Sequence, residues 1–323
     1  ATRWQDIQGM NNWKGVIDPL HPDLRAAGIR YGEFVEAVYD AIDMEVESEF
    51  IYYSLYGKSD LFPNVGVTSD YKITRYLYST LVVEGWRTAF DGLHKRSSTT
   101  WIGYIAVSSD QETRKLGRRD VAVILRGTKA SDEWYVNSEF MMKELKLLGL
   151  EKPLPRVVEG FLSMYTASDA SKMFGDSSLR DQIFKEVNKL VEVDYKDEDM
   201  SITFVGHSMG AGMAPLAAAD YGFNKPRIAE GRTVMVTAFV YGAPKTGDGE
   251  FKKRAEESCK IIRVVSTGDI VTLIPPVSLT PPGIYQHVGV EWRVDWSSSP
   301  YVQDLGFGMR CHNLELYLHC IAG

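Results

Sequence analysis

Cysteine is scarce: Cys259, Cys311 and Cys320 are the only thiols in 323 residues, and their spacing suits neither a zinc site nor a disulfide framework. Unpaired thiols of this kind are expected in a reducing compartment. Long apolar runs are missing too. The longest candidate, Val234 to Val240, is strand-length, far short of the ~20 residues that span a bilayer. Positive charge is in deficit, with 36 Lys and Arg against 43 Asp and Glu and a formal net charge of −7. No long-range field therefore draws the chain to nucleic acid or anionic lipid, and a nucleic-acid partner is not expected. The opening residues Ala1 to Asp6 hold no apolar signal core and no Arg- and Ser-rich transit pattern, so a cytoplasmic location is the expectation.

What is there is ordinary for a globular protein: 44% hydrophobic and 24% charged residues, enough to build a sizeable core. No repeat or low-complexity tract interrupts the chain, which reads as one domain over 1–323. Residues 1–100 look like an N-terminal helical arm or cap, with helical apolar spacing at Phe34, Val35, Val38 and Ile42 and a loop from Phe62 to Ser69. From Trp101 onward the pattern changes. Ile102 to Val107, Val121 to Leu125, Ile202 to Val205, Val234 to Tyr241 and Ile261 to Val265 are near-continuous apolar runs, as expected of strands covered on both faces. Leu179, Ile183, Phe184, Val187, Leu190 and Val191 fall on one helical stripe, with Ser178 before them as N-cap. Alternating strands and helices predict an α/β core over 101–323, with a mainly parallel sheet and crossover helices. The acidic run Asp194 to Asp199 lacks the glycine-bearing ligand spacing of a hard-cation loop and reads as a solvated connection, so no metal is expected.

The most specific segment is Gly206-His207-Ser208-Met209-Gly210. This G-x-S-x-G follows an apolar run and precedes Ala211-Gly212-Met213-Ala214, the strand-turn-helix order that exposes a nucleophilic serine on a tight turn. A serine hydroxyl needs a base, and the base an orienting carboxylate. In sheets of this kind the partners follow in the order Ser, Asp or Glu, His. Three histidines follow Ser208. His312 opens an apolar helical pattern and is preferred; His287, in a strand-like segment, and His319, within the helical pattern, are the alternatives. Asp269 lies just past the run Ile261 to Val265, at the strand edge where catalytic groups gather. Asp248, which reads as a helix cap, and Asp295, in a polar loop, compete with it. An oxyanion needs N–H donors. Met209 supplies one from the backbone, and Thr128, in Arg126-Gly127-Thr128 after the run Val121 to Leu125, offers a second N–H and its hydroxyl.

Gly117-Arg118-Arg119-Asp120, Arg126-Gly127-Thr128, Glu133-Trp134, Gly206 to Gly210, Gly242 to Asp248, Gly268 to Val271 and His312 to His319 together resemble the plant class III lipases of the phospholipase A1 type. Trp4 to Pro19 and Asp60-Leu61-Phe62 extend the likeness over nearly the whole chain. The resemblance implies an α/β-hydrolase fold, a Ser208/Asp269/His312 triad, no cofactor, and hydrolysis of glycerolipid acyl esters, often at the sn-1 position. It also implies the cytosolic subgroup. Several positions depart from the family pattern: Met209 and Gly212 in place of the commoner leucine and alanine, Tyr135-Val136-Asn137-Ser138 where an Asn-Asp pair is common, so that the expected acid is replaced, Val158 in place of a histidine, and Cys311 in place of a tryptophan. Phe140, Met141, Leu145, Leu147, Leu148 and Leu150, interrupted by Lys143, Glu144 and Lys146, form an amphipathic stretch. It has two readings, a lid whose apolar face covers an acyl groove and makes transient contact with a membrane surface, or a helix packed on the core. Besides ester hydrolysis, the same triad serves acyl transfer or a specialised-metabolite esterase, and a lipase-like binding or signalling protein is the reading from a different class.

Overall fold

The structure is a computed structural model and describes residues 3–83, 96–129, 141–275 and 284–323. Its framework is a seven-stranded sheet of β1 (Tyr71–Val83), β2 (Arg96–Ser108), β3 (Arg119–Leu125), β6 (Met200–His207), β7 (Val234–Tyr241), β8 (Lys260–Ser266) and β9 (Val290–Val294), in that spatial order. The short strands β4 (Met142–Glu144) and β5 (Arg156–Val158) pair separately. β1, β2 and β3 run antiparallel to one another, and every pair from β3 to β9 is parallel. This is the mainly parallel α/β-hydrolase arrangement expected from the sequence.

The continuous apolar runs divide their side chains between two cores because successive residues of a strand face opposite ways. On β3, Val121, Val123 and Leu125 enter one core, while Ala122 and Ile124 enter the other. Met200, Ile202 and Phe204 of β6 join the first, together with the helices Glu159–Thr166, Leu179–Lys189, Met209–Asn224 and Gly249–Ser258. Val205 of β6 and Phe239 and Tyr241 of β7 join the second, which the helices Pro22–Ala41 and Leu314–Ala322 cover. Ser178 caps its helix as expected, its side chain accepting from Asp181 N–H. The acidic run leads from a π-helical turn, Leu190–Asp194, into β6.

The boundary placed at residue 100 does not separate a helical cap from a core. β1 and the first residues of β2 lie before it and form the antiparallel edge of the main sheet. On β1 the pattern escapes a simple period of two because an extra residue, Thr74, interrupts the register between Ile73 and Arg75, and such a bulge swaps the side of the sheet that following residues face. The second shift, beside Leu77 and Tyr78, has its extra residue, Ile102, on β2. The segment Phe62 to Ser69, read as loop, begins within a one-turn helix, Leu61–Asn64.

Asp120 on β3 ties the N-terminal helix and β1 to the parallel strands. Its fully buried carboxylate accepts from Tyr31 Oη at 3.0 Å and Tyr71 Oη at 2.6 Å, and also from Ser201 Oγ, with the Arg118 guanidinium 3.6 Å away. Removing a buried charge from such a cluster leaves its partners uncompensated, which costs about 3–5 kcal/mol. Asp120→Ala is expected to lose stability on that scale, read as a lowered midpoint of urea unfolding; an unchanged midpoint would refute this account of how the N-terminal helix is held.

Candidate active site

The parallel register places Leu125 beside Gly206 and His207 beside Tyr241, so the turns after β3, β6 and β7 meet at one edge. Ser208 follows β6 with φ 58° and ψ −122°, a left-handed conformation that a non-glycine residue adopts only when its surroundings impose it. The helix Met209–Asn224 starts directly behind it. Both glycines of the pentapeptide are sterically required. A Cβ on Gly206 would lie 2.3 Å from the Gly210 carbonyl, and one on Gly210 would lie 2.3 Å from the Leu125 carbonyl oxygen. Gly212 has a related cause: a Cβ there would meet the Phe161 ring at 2.4 Å, so the ring fills the space that an alanine methyl would take.

Asp269 lies past the end of β8, and His312 ends the 3₁₀ turn Met309–His312 just before the helix Leu314–Ala322. The Asn313 side chain caps that helix by accepting from Leu316 N–H at 3.1 Å, which sets His312 at the loop-to-helix junction. His312 Nδ1–H donates to Asp269 Oδ2 at 2.8 Å. Asp269, buried to 3% exposure, also accepts Val271 N–H on Oδ1 at 2.8 Å and Tyr317 O–H on Oδ2 at 2.5 Å. With Nδ1 committed, His312 Nε2 carries the lone pair; it is buried and has no hydrogen-bond partner among the described residues. Gly242 permits this packing, since a Cβ at its φ of 58° would press on His312 Nδ1 and Asp269 Oδ2, each at 2.9 Å.

The competing residues are engaged elsewhere. Asp248 caps the helix Gly249–Ser258 by accepting from Phe251 N–H, and Asp295 accepts from Ser297 N–H. His319 pairs with Ser299 Oγ at 2.7 Å. His287 precedes β9, and its pKa is pushed down to about 4 by burial and by the nearby Arg263 and Lys245.

The loop after β3 is anchored by Arg126, whose buried guanidinium donates to the carbonyl oxygens of Trp101 at 2.9 Å and Gly127 at 2.7 Å and to Thr100 Oγ1 at 2.8 Å. Gly127 approaches the elbow so closely that an added Cβ would lie 2.9 Å from Ser208 Cβ. Thr128 follows it, partly buried, and Met209 is buried at the helix start. Sequence reasoning missed four residues here: Arg126 as an anchor, Tyr39, His207 and Tyr317. Tyr317 shares one helix face with Leu314 and Ile321, so its spacing signals packing and its hydroxyl contact stays hidden.

The stretch 140–150 is resolved into its parts. Phe140 lies outside the described residues. Met141 is 69% exposed, while Leu145 and Leu148 are fully buried in the first core. Of the two readings, packing on the core holds for Leu145 and Leu148, though as a strand followed by turns rather than a helix. Their backbone is pinned as well: Leu145 N–H donates to Pro155 O at 2.7 Å, and Leu148 O accepts from Arg254 at 2.9 Å.

Residues 122–279 match the family model described as lipase (class 3). Phospholipase A1-IIgamma of Arabidopsis thaliana is 36% identical over 340 residues, covering all of this chain and 79% of the relative. The chain belongs to the class 3 lipase family, carboxylic-ester hydrolases of lipase and phospholipase A1 type. Phospholipase A1-II 6 of Oryza sativa subsp. japonica is 38% identical over 341 residues, covering all of this chain and 81% of its own. Among solved structures, lipase II from Rhizopus niveus superposes with a TM-score of 0.52 at 20% identity, covering 90% of this chain and 89% of that one. A fungal lipase in an inhibitor complex gives 0.54 at 16% identity, covering 84% and 80%. Both likenesses support the fold of this class 3 lipase.

His207 is buried too, and burial, with the adjacent His312, holds its pKa well below the usual imidazole range. Both depressed histidines, His207 and His287, are neutral in the fold and take up protons freely once unfolded below pH ~6.5. The unfolded state therefore binds more protons there, and stability falls as pH drops from ~6.5 toward 4. Between pH 7 and 5 the urea midpoint of the parent is expected to fall relative to that of His287→Gln, a difference in which the opposing contribution of Glu36, held up at about 7 by burial, cancels; parallel profiles in the two proteins would contradict it.

Proposed function

We propose that this protein hydrolyses acyl esters of glycerolipids through an acyl-enzyme on Ser208, with His312 as general base and then acid and Asp269 as the group that orients it. The reading rests on one observation: a buried carboxylate holds His312 Nδ1–H at 2.8 Å and leaves Nε2 unpartnered among the described residues. Nε2 takes the Ser208 proton as Oγ attacks the ester carbonyl carbon. The oxyanion so formed is stabilised by the backbone N–H groups of Met209, at the helix start, and Thr128, on the loop after β3. The tetrahedral species then collapses. The C–O bond to the alcohol breaks, and the alkoxide takes the proton from His312. Water attacks the acyl-enzyme with His312 again as base; the bond from the acyl carbon to Ser208 Oγ breaks, Oγ takes the proton back from His312, and the free fatty acid leaves.

Relatives named phospholipase A1 at 36% and 38% identity support a phospholipid as substrate with cleavage at the sn-1 position. Brief contact with a lipid surface belongs to the same reading. It is supported by Phe307 and Met309, on the approach to His312, at 69% and 49% exposure, and by exposed Met141. Cytoplasmic residence is also part of it, supported by three unpaired thiols; other relatives, such as phospholipase A1-Igamma2 of Arabidopsis thaliana, are chloroplastic.

Ser208→Ala is expected to lower turnover of a short-chain p-nitrophenyl ester by at least ~10³-fold at unchanged melting temperature. With a phosphatidylcholine of two distinct acyl chains, mass spectrometry is expected to find the sn-1 acid and the 2-acyl lysolipid. Full activity in the alanine variant overturns the nucleophile, and release of the sn-2 acid alone overturns the positional assignment.

A further inference from the structure

His207, the residue before the serine, carries a hydrogen-bond path that leaves the pentapeptide in two directions. On one side its Nε2 lies 2.9 Å from the backbone carbonyl oxygen of His312. A carbonyl oxygen only accepts, so Nε2 bears the proton. The neutral ring then has a bare Nδ1, which lies 2.8 Å from Tyr39 Oη. The phenol has one proton to donate, and it goes to Nδ1. Its oxygen in turn accepts Gly127 N–H at 2.7 Å. Every donor along this path has one assigned acceptor, and reversing any link would set two donors or two acceptors face to face. The imidazoles of His207 and His312 also stack, with centroids 4.6 Å apart and planes at 28°.

We infer that Tyr39 and His207 are positioning residues for the ester hydrolysis, forming a directed hydrogen-bond chain that fixes the loop bearing Thr128 and the backbone of His312 relative to Ser208. This rests on the function proposed above. Three separate segments meet in the chain: the turn after β3 through Gly127, the elbow through His207, and the C-terminal 3₁₀ turn through His312. The connecting hydroxyl comes from the last turn of the helix Pro22–Ala41, far away in sequence. That helix is thereby an active-site element. The fit is tight at the phenol, because a Cβ on Gly127 would lie 2.3 Å from Tyr39 Oη. A loop displaced by about 1 Å from the reacting carbonyl can cost on the order of 10²-fold in rate, so the chain acts on kcat more than on KM.

The test is a double-mutant cycle with a readout independent of turnover. Tyr39→Phe removes the link to both neighbours and is expected to lower kcat about 10-fold with KM within about 2-fold and the melting temperature nearly unchanged. His207→Gln retains one donor and one acceptor and is expected to keep activity within about 5-fold, whereas His207→Leu loses about 100-fold. Tyr39→Phe added to His207→Leu should cost no more than about 3-fold further, because the chain is already broken. Nitrogen NMR of labelled histidine is expected to show His207 as a single Nε2–H tautomer in both proteins, because the His312 carbonyl still faces Nε2, with the bare Nδ1 signal shifted in Tyr39→Phe by loss of the phenol hydrogen bond. Should His207→Leu fail to fold, the cycle is run with His207→Gln, where the Tyr39→Phe loss is expected to persist. Unchanged kcat in Tyr39→Phe, fully multiplicative losses in the cycle with His207→Leu, or an Nδ1–H tautomer in the parent would overturn the inference. Absence of ester turnover in the parent defeats the proposed function instead, and the tautomer measurement still decides the chain.

Discussion

The site depends on backbone packing against backbone with no side chain between. Gly206, at the end of β6, lies against Gly210 in the first turn of the following helix, and Gly210 lies against the carbonyl groups of Leu125 and Arg126 at the end of β3. Because Leu125 and Gly206 are also register partners, this contact pulls the turn after β3 onto the elbow. A methyl group at either glycine would force these segments apart by more than the tolerance of a hydrogen bond. The positive φ of Ser208 and the nearness of Gly127 to its side chain both follow from that contact.

Around this contact the polar groups are saturated one by one. Asp269 accepts hydrogen bonds from Val271, His312 and Tyr317, and a carboxylate so engaged has little freedom to rotate. Arg126, fully buried, spends its donors on two backbone carbonyls and a threonine hydroxyl, which fixes the loop after β3 from beneath. The N-terminal helix does the same from above through Tyr39. The same helix is held to the sheet by the Asp120 cluster around Tyr31, so its placement near the site is a consequence of packing on the second core. In physical terms the serine turn is one of four strand-end turns fixed by each other.

The central strands were legible because a strand covered on both faces must be apolar at nearly every position, and runs this short and this rich in valine and isoleucine favour a strand over a buried helix. The antiparallel edge was not. Its bulges break the alternation at Thr74 on β1 and at Ile102 on β2, and its residues mix buried Ser79 and Thr80 with buried Leu77 and Leu81. The stretch after residue 140 misled for a similar reason: leucines at irregular spacing serve a short strand and turns as well as a helix, and only the burial of Leu145 and Leu148 distinguishes them. Gly212, a departure from the family pattern in sequence, has its explanation in a ring 51 positions earlier, Phe161.

The amino-acid order by itself determined the strand-turn-helix around Ser208, the position of Asp269 after a strand, and the start of a helix behind His312, because each depends on local periodicity, capping and glycine placement. Only the tertiary structure decided which nitrogen of His312 is left bare, which donors saturate Asp269, and how Tyr39 and His207 connect the turns. Apart from the local Val271 N–H, those contacts join residues 43 to 168 positions apart, and hydrogen-bond direction is settled by what lies across the gap, which no local pattern of residues encodes.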